Sequence, residues 1–212
     1  MKKLLIITLF NVLAVFVMNL QIVQATPVLT LDDQLGHRVS VTGTMIDATH
    51  SQVFYNGSLG DWLINFSIGI DSAGVGVSPE MHLTTLNAMY IPNTPGTMVV
   101  TLSDYFTGLP GSVITDAGGV MPYGGSVTVD TLFENAVIST MAFDTPSFGK
   151  SVTGYLPNEF NDGILKLSAT IHQVGSGSTS IDAKVSVPEP ATMLLFGLGL
   201  LGAGIIRKKI SE

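Results

Sequence analysis

The stretch GILKLSATIHQVGSGSTSIDAKVSV, from Gly163 to Val187, decides the fold. Leu165, Leu167, Ala169 and Ile171 alternate with Lys166, Ser168, Thr170 and His172, and Ile181, Ala183, Val185 and Val187 alternate with Asp182, Lys184 and Ser186. A period of two puts each set on its own side of a strand, with one face buried and the other wet. Gly175, Ser176, Gly177 and Ser178 supply a turn-forming link between the runs. The pattern predicts a hairpin whose apolar sets lie side by side, odd positions opposite odd, because a one-residue slip would expose the core set. His172 is then expected opposite Ser180 or Asp182 on the wet face.

The same period runs outward through the chain. Trp62, Ile64, Phe66, Ile68 and Ile70 alternate with Leu63, Asn65, Ser67, Gly69 and Asp71. Val39, Val41 and Met45 form another such set, as do Met98, Val100 and Leu102, and Val127 and Val129. Breakers recur at strand spacing, among them Asn56-Gly57, Pro95-Gly96, Pro110-Gly111, Gly118-Gly119 and Gly124-Gly125. Strands are predicted near 38–46, 52–59, 62–71, 81–90, 97–105, 125–132, 136–144, 148–155, 163–173 and 179–187. Between the two ends no stretch carries convincing helical periodicity. The fold class is therefore all-β: a single antiparallel β-sandwich, jelly-roll-like, whose strand order the pattern does not give.

Both ends read as processing segments. Lys2 and Lys3 precede an apolar stretch from Leu4 to Leu20, and Val23-Gln24-Ala25 supplies small residues at the −3 and −1 positions. This is the build of a secretory signal peptide cleaved after Ala25, so residues 1–25 are set apart from the fold. At the other end Pro188, Glu189 and Pro190 precede an uncharged run from Ala191 to Ile206, closed by Arg207, Lys208 and Lys209. As a helix the run would be roughly 24 Å long at 1.5 Å per residue, short of a ~30 Å hydrocarbon core. Local thinning of the bilayer or snorkelling of the basic cluster would close the gap, and the positive-inside rule would keep that end on the cytoplasmic side. The two prolines favour extended backbone and donate no hydrogen bond, which suits a protease site.

This tail resembles the PEP-CTERM sorting signal of exported bacterial proteins. Triplet, apolar helix, basic cluster and terminal position coincide over residues 188–212. The resemblance implies that the newly exported protein is held at the inner membrane, with the domain on the periplasmic side. An exosortase then acts near Pro188-Glu189-Pro190. It further implies a final place in the envelope, at the surface or in an exopolysaccharide or biofilm matrix. The stretch Val53 to Gly74 and the ending from Gly175 look similar to ectodomains that carry the same tail. The implied partners are the exosortase, the secretion machinery, the inner membrane before processing, and extracellular polysaccharide.

Residues 26–187 remain as one domain, the sandwich ectodomain, long enough for a real core. Of the nine basic residues only Arg38, Lys150, Lys166 and Lys184 lie in it, against fourteen of the sixteen acidic ones, for a net charge near −10. Such a surface repels nucleic acid and anionic lipid. There is no cysteine, so stability rests on the core alone, and neither a thiolate nucleophile nor a cysteine-based zinc site exists.

Chemistry is sparse. His37, His50, His82 and His172 lack metal-ligand spacing, and no phosphate-binding loop or Gly-x-Ser-x-Gly elbow occurs; Asn56-Gly57-Ser58-Leu59-Gly60 has Asn in place of the first Gly. Glu80, Glu134 and Glu159 are the glutamates from which a glycosidase pair would be drawn. Asp32-Asp33, Asp116 and Asn161-Asp162 are loop-type oxygen donors of the kind that hold calcium, although no Asp-x-Asp-x-Asp ladder is present. Trp62 is in phase with the core, so Tyr55 and Tyr90 are the aromatics expected at the surface for stacking on sugar. The reading is a non-enzymatic binding or matrix component with no catalytic residues, no metal ligands and no cofactor beyond candidate calcium. A glycan-binding module and a secreted glycoside hydrolase are the alternatives.

Overall fold

In the computed structural model of this protein the described residues are 26–47, 50–74, 77–158 and 161–187, and the side chains of 66–74, 77–79 and 84–86 lie outside the description. The signal segment with Ala25, the Pro188-Glu189-Pro190 triplet, the apolar run and Arg207 to Lys209 also fall outside the described residues.

Thirteen strands are described, three more than the sequence reading counted. They are β1 (Val28–Asp32), β2 (Arg38–Thr42), β3 (Thr44–Met45), β4 (His50–Leu59), β5 (Trp62–Gly74), β6 (Val77–Tyr90) and β7 (Gly96–Leu109). There follow β8 (Ser112–Val120), β9 (Ser126–Phe133), β10 (Ala136–Phe143), β11 (Ser147–Tyr155), β12 (Asn161–Gln173) and β13 (Gly177–Ser186). Two antiparallel sheets result. One has six strands in the order β10-β9-β12-β7-β1-β2, the other seven in the order β11-β8-β13-β6-β5-β4-β3.

The last eight strands wind as a jelly roll. Successive strands change sheet except for the β9–β10 hairpin, giving the four-stranded sets β10-β9-β12-β7 and β11-β8-β13-β6. β1 and β2 extend the first set beyond β7, and β5, β4 and β3 extend the second beyond β6. The last two strands are both internal: β12 lies between β9 and β7, and β13 between β8 and β6. The sandwich fold read from alternation is what the chain adopts.

The hairpin expected over Gly163 to Val187 is not formed. β12 and β13 belong to different sheets, and their apolar sets face one another across the core instead of lying side by side. Alternation states which side chains are buried, and that part holds: Leu165, Leu167, Ala169, Ile171, Ile181, Ala183, Val185 and Val187 are all buried. It does not state whether the next strand turns back beside the first or crosses the ~10 Å gap between sheets. The link is fitted for crossing. Gln173 is buried, and its amide, with oxygen toward Thr179 Oγ1 (2.9 Å), donates to the carbonyls of Gly177 (3.1 Å) and Gly175 (3.3 Å). His172 accordingly stands opposite Thr97 and Ser126, not Ser180 or Asp182, and its Nδ1 meets Thr97 Oγ1 at 3.0 Å.

Two further differences have local causes. Gly118 and Gly119, read as breakers, lie inside β8, because a side chain at 119 would collide with the Ser180 carbonyl and, at 2.8 Å, with the Phe148 ring. The stretch 38–46 divides at Gly43, whose amide makes the last bond in the β1–β2 register, to the Pro27 carbonyl (2.7 Å), before the chain passes to the other sheet as β3. Trp62 is in the core as its phase predicts, its ring 4.6 Å from that of Tyr90. A hydroxyl chain links the sheets within the core: Thr115 Oγ1 of β8 meets Thr131 Oγ1 of β9 at 2.6 Å and Ser139 Oγ of β10 at 3.1 Å.

Candidate functional site

The outward face of the seven-stranded sheet carries two adjoining clefts. Alternation along β13 sends Ser178, Ser180, Asp182 and Lys184 outward while Thr179, Ile181, Ala183 and Val185 go in. β4 sends out Phe54, Asn56 and Ser58, β5 sends out Leu63 and Asn65, and β6 sends out Asn87 and Met89.

The larger cleft, about 660 Å³ and open to solvent, is lined in part by His82, Asp116, Gly118, Lys150, Asp182 and Lys184. Gly118 and Gly149 are partners across β8 and β11, so its floor is bare backbone. Some of its charged side chains are paired. His82 Nε2 meets Asp182 Oδ1 at 2.8 Å, and Lys184 Nζ meets Glu80 Oε2 at 3.2 Å. Pairs this exposed contribute little stability.

The second cleft, about 400 Å³, is uncharged. Asn56, Gly57, Ser58, Leu63, Ile64, Asn65, Asn87, Met89 and Ser178 line it. Register builds it from two parallel rows. Asn56 of β4 pairs with Asn65 of β5, Asn65 with Asn87 of β6, and Asn87 with Ser180 of β13. Beside that amide row, Ser58 pairs with Leu63, Leu63 with Met89, and Met89 with Ser178. The rows are held in place by the β4–β5 turn at Gly60-Asp61. There Gly60 has φ +55°, a conformation that favours glycine, and a side chain at 60 would strike the Asp33 carboxylate. Among the described residues the three asparagine amides have no hydrogen-bond partner. An amide both donates and accepts, so the row offers both kinds of bond at strand spacing.

The residues singled out from sequence are used structurally and are not brought together. Asp32 Oδ1 accepts from the Gln34 amide at 2.8 Å. Asp33 is buried and accepts from the amides of Leu35 (2.8 Å) and His37 (3.0 Å) and from His37 Nδ1 (2.6 Å). Burial pushes the Asp33 carboxyl up, but the His37 side chain and then the two amides outweigh it and hold it below its ordinary value. Asn161 is buried and donates to the carbonyls of Asn158 (2.6 Å) and Leu109 (3.3 Å), and Asp162 Oδ1 accepts from the Gly108 amide at 2.7 Å. Asp116 stands apart from both pairs on the outer sheet face. Among the described residues no group of three or more His, Asp or Glu side chains is placed to hold a metal ion.

Glu80 is on β6 in the seven-stranded sheet, whereas Glu134 sits in the β9–β10 turn with Oε1 accepting from the Ile164 amide at 2.7 Å; Glu159 lies outside the described residues. His50 is tied to Asp47 at 3.0 Å. The two tyrosines expected at the surface are corrected. Tyr90 is buried against Trp62, because it shares the inward phase of Ala88, and its hydroxyl donates to the Pro95 carbonyl at 3.4 Å. Tyr55 leans on the core and donates to the Ser58 carbonyl at 2.8 Å. Tyr105, Tyr123 and Tyr155 are the exposed tyrosines, and Phe54 is exposed beside the amide row.

The amide row was not foreseen. Half of it was legible: a two-residue turn between Leu59 and Trp62 puts Asn56 opposite Asn65. Asn87 joins only through the β5–β6 register, which contains irregularities that alternation does not reveal.

No curated protein matches the chain. Among solved structures, one described as a promiscuous carbohydrate-binding module of the β-sandwich superfamily has 11% identity and a TM-score of 0.34 over 76% of this chain and 83% of the other. A particle of Broad Bean Stain Virus has 8% identity and a TM-score of 0.34 over 78% and 79%. A third, a carbohydrate-binding module in complex with β-1,4-galactotriose, has 8% identity and a TM-score of 0.33 over 48% of this chain; the chain spans 66% of that module. Likeness this distant identifies no ligand. The C-terminal segment is matched directly: residues 186–209 fit the family described as the PEP-CTERM protein-sorting motif, so this β-sandwich chain carries that sorting motif from the last residue of its last strand onward.

Proposed function

We propose that the protein is an exported, non-catalytic binding component of the cell envelope or extracellular matrix. Its C-terminal segment holds it at the inner membrane until an exosortase cuts near Pro188-Glu189-Pro190. The observation that carries this reading is the position of the sorting motif. The matched span begins at residue 186, the last residue of β13, and Val187 is still buried in the core. The triplet thus adjoins the folded domain with no intervening linker.

The non-catalytic part rests on how the reactive side chains are used. His37, His50, His82 and His172 are each bonded to an acid or a hydroxyl, and Glu80 and Glu134 belong to different parts of the sandwich.

Intact mass from the native host, with and without the exosortase, tests the proposal. A species beginning at Thr26 and ending near Pro188 to Pro190 is expected only when the enzyme is present. Replacing Pro188, Glu189 and Pro190 by alanine is expected to leave the tail attached. A chain running to Glu212 in both strains, or normal trimming of the alanine variant, would overturn the reading.

A further inference from the structure

We infer that the uncharged cleft over β4, β5, β6 and β13 binds a neutral, polyhydroxylated chain, a segment of uncharged polysaccharide. The inference gives a ligand class to the binding role proposed above and rests on it.

Of the two clefts on this face, only this one is lined without an ionisable side chain. The larger cleft is charged, with His82 bonded to Asp182, Lys184 paired with Glu80, and Asp116 and Lys150 beside them. In the uncharged cleft Asn56, Asn65 and Asn87 stand in register on adjacent strands with their amides unpartnered among the described residues. Neighbouring strands are ~4.8 Å apart, so the row from Asn56 to Ser180 presents four polar groups over about 14 Å. This is a linear array of both donors and acceptors. Hydroxyl groups, which also donate and accept, match it at every position. A row of carboxylates or phosphates would leave the amide oxygens facing acceptors.

The second row adds an apolar strip. Leu63 and Met89 are 45% and 48% exposed although they pair side by side, and Phe54, beyond the amide row on β4, is 64% exposed. A sugar ring has a rim of hydroxyls and faces of C–H groups. It can set its rim on the amides and a face on Leu63 and Met89. Charge points the same way: the cleft contains no ionisable side chain, and the domain around it is strongly acidic, which disfavours anionic glycans. A protein partner would more often require aromatic and arginine anchors, and the cleft has neither.

The test is affinity electrophoresis of the full chain in a non-glycosidic detergent. Gels carry dextran, a mixed-linkage β-glucan, galactomannan or xylan, with alginate as the anionic counterpart. Retardation by at least one neutral polymer and none by alginate is expected. Asn65→Leu with Asn87→Leu, both outward-facing, is expected to weaken that binding at least about tenfold with an unchanged thermal midpoint. His82→Gln in the charged cleft should leave it unaltered. Failure of all four neutral polymers, equal binding by the double variant, or a preference for alginate would each overturn the inference. So would self-association in sedimentation that the double variant abolishes, since the face would then belong to a second copy. The assay uses unprocessed protein, so its outcome does not depend on whether the exosortase reading holds.

Discussion

Asp33 carries a charge in a buried position because three donors converge on it, and its sequence neighbour Asp32 holds the same turn through Gln34. The sequence reading took the pair as candidate calcium donors. An Asx residue satisfies backbone amides in a turn with the same oxygens it would give to a metal, and residue type alone does not separate the two uses. The depressed carboxyl makes the stability contribution pH-dependent. It is fully present above the unfolded value, ordinarily 3.8, and is lost as pH falls through the lower folded value. Asp33→Asn is expected to cost about 1–3 kcal/mol at neutral pH. Urea titrations at several pH values should show the gap from wild type closing below the ordinary carboxylate range. A gap that stays constant well below that range would remove the ionised carboxylate from the account.

At the scale of elements, glycines divide into those that stop a strand and those that sit within one. Gly118-Gly119 looked like the former and is the latter. The distinction lies in close approach by β13 and Phe148, which no local pattern records. Gly119→Ala is expected to push the β8–β13 pairing apart and destabilise by about 1–3 kcal/mol. Gly149→Ala, on the neighbouring strand β11, meets only the Ala117 carbonyl at 3.9 Å. It is expected to be neutral or to stabilise by about 0.5–1 kcal/mol through lost chain entropy. Thermal midpoints of the two variants would separate them. β1 was missed for a different reason. Val28–Asp32 alternates properly, with Leu29 and Leu31 buried, but it is short and follows directly on the targeting segment. Which set faces in is what alternation did establish, except at Met45, which is exposed on β3 because the chain changes sheet at Gly43 after Val39 and Val41.

For the molecule as a whole, the all-β sandwich was legible because nearly every segment has period two and turn residues recur between them. Strand order was not legible, because it is decided by which strand enters which gap, a property of long-range packing. The buried hydroxyl chain of Thr115, Thr131 and Ser139 is a feature of that scale, since it exists only where the two sheets meet. Thr115→Val removes the shared partner and leaves two buried hydroxyls. The expected loss is about 1–3 kcal/mol, measured by urea unfolding. Thr115→Val with Thr131→Val should lose less than the sum of the single changes, because the two hydroxyls share one bond.

The internal places of β12 and β13 have a consequence for the timing of folding. A chain made from its N-terminus completes these two strands last, yet each fills a gap in the middle of a sheet. Until they arrive, β7 and β9 on one side and β6 and β8 on the other are long open edges, the form of strand most prone to pairing with a neighbouring molecule. No earlier subset of strands closes the barrel-like core, so folding depends on contacts of large sequence separation and waits for the final residues of the domain. The segment that follows Val187 therefore marks the moment at which the molecule can close. A chain tethered there, kept apart from its fellows while the last two strands find their gaps, would pass through its most vulnerable stage alone.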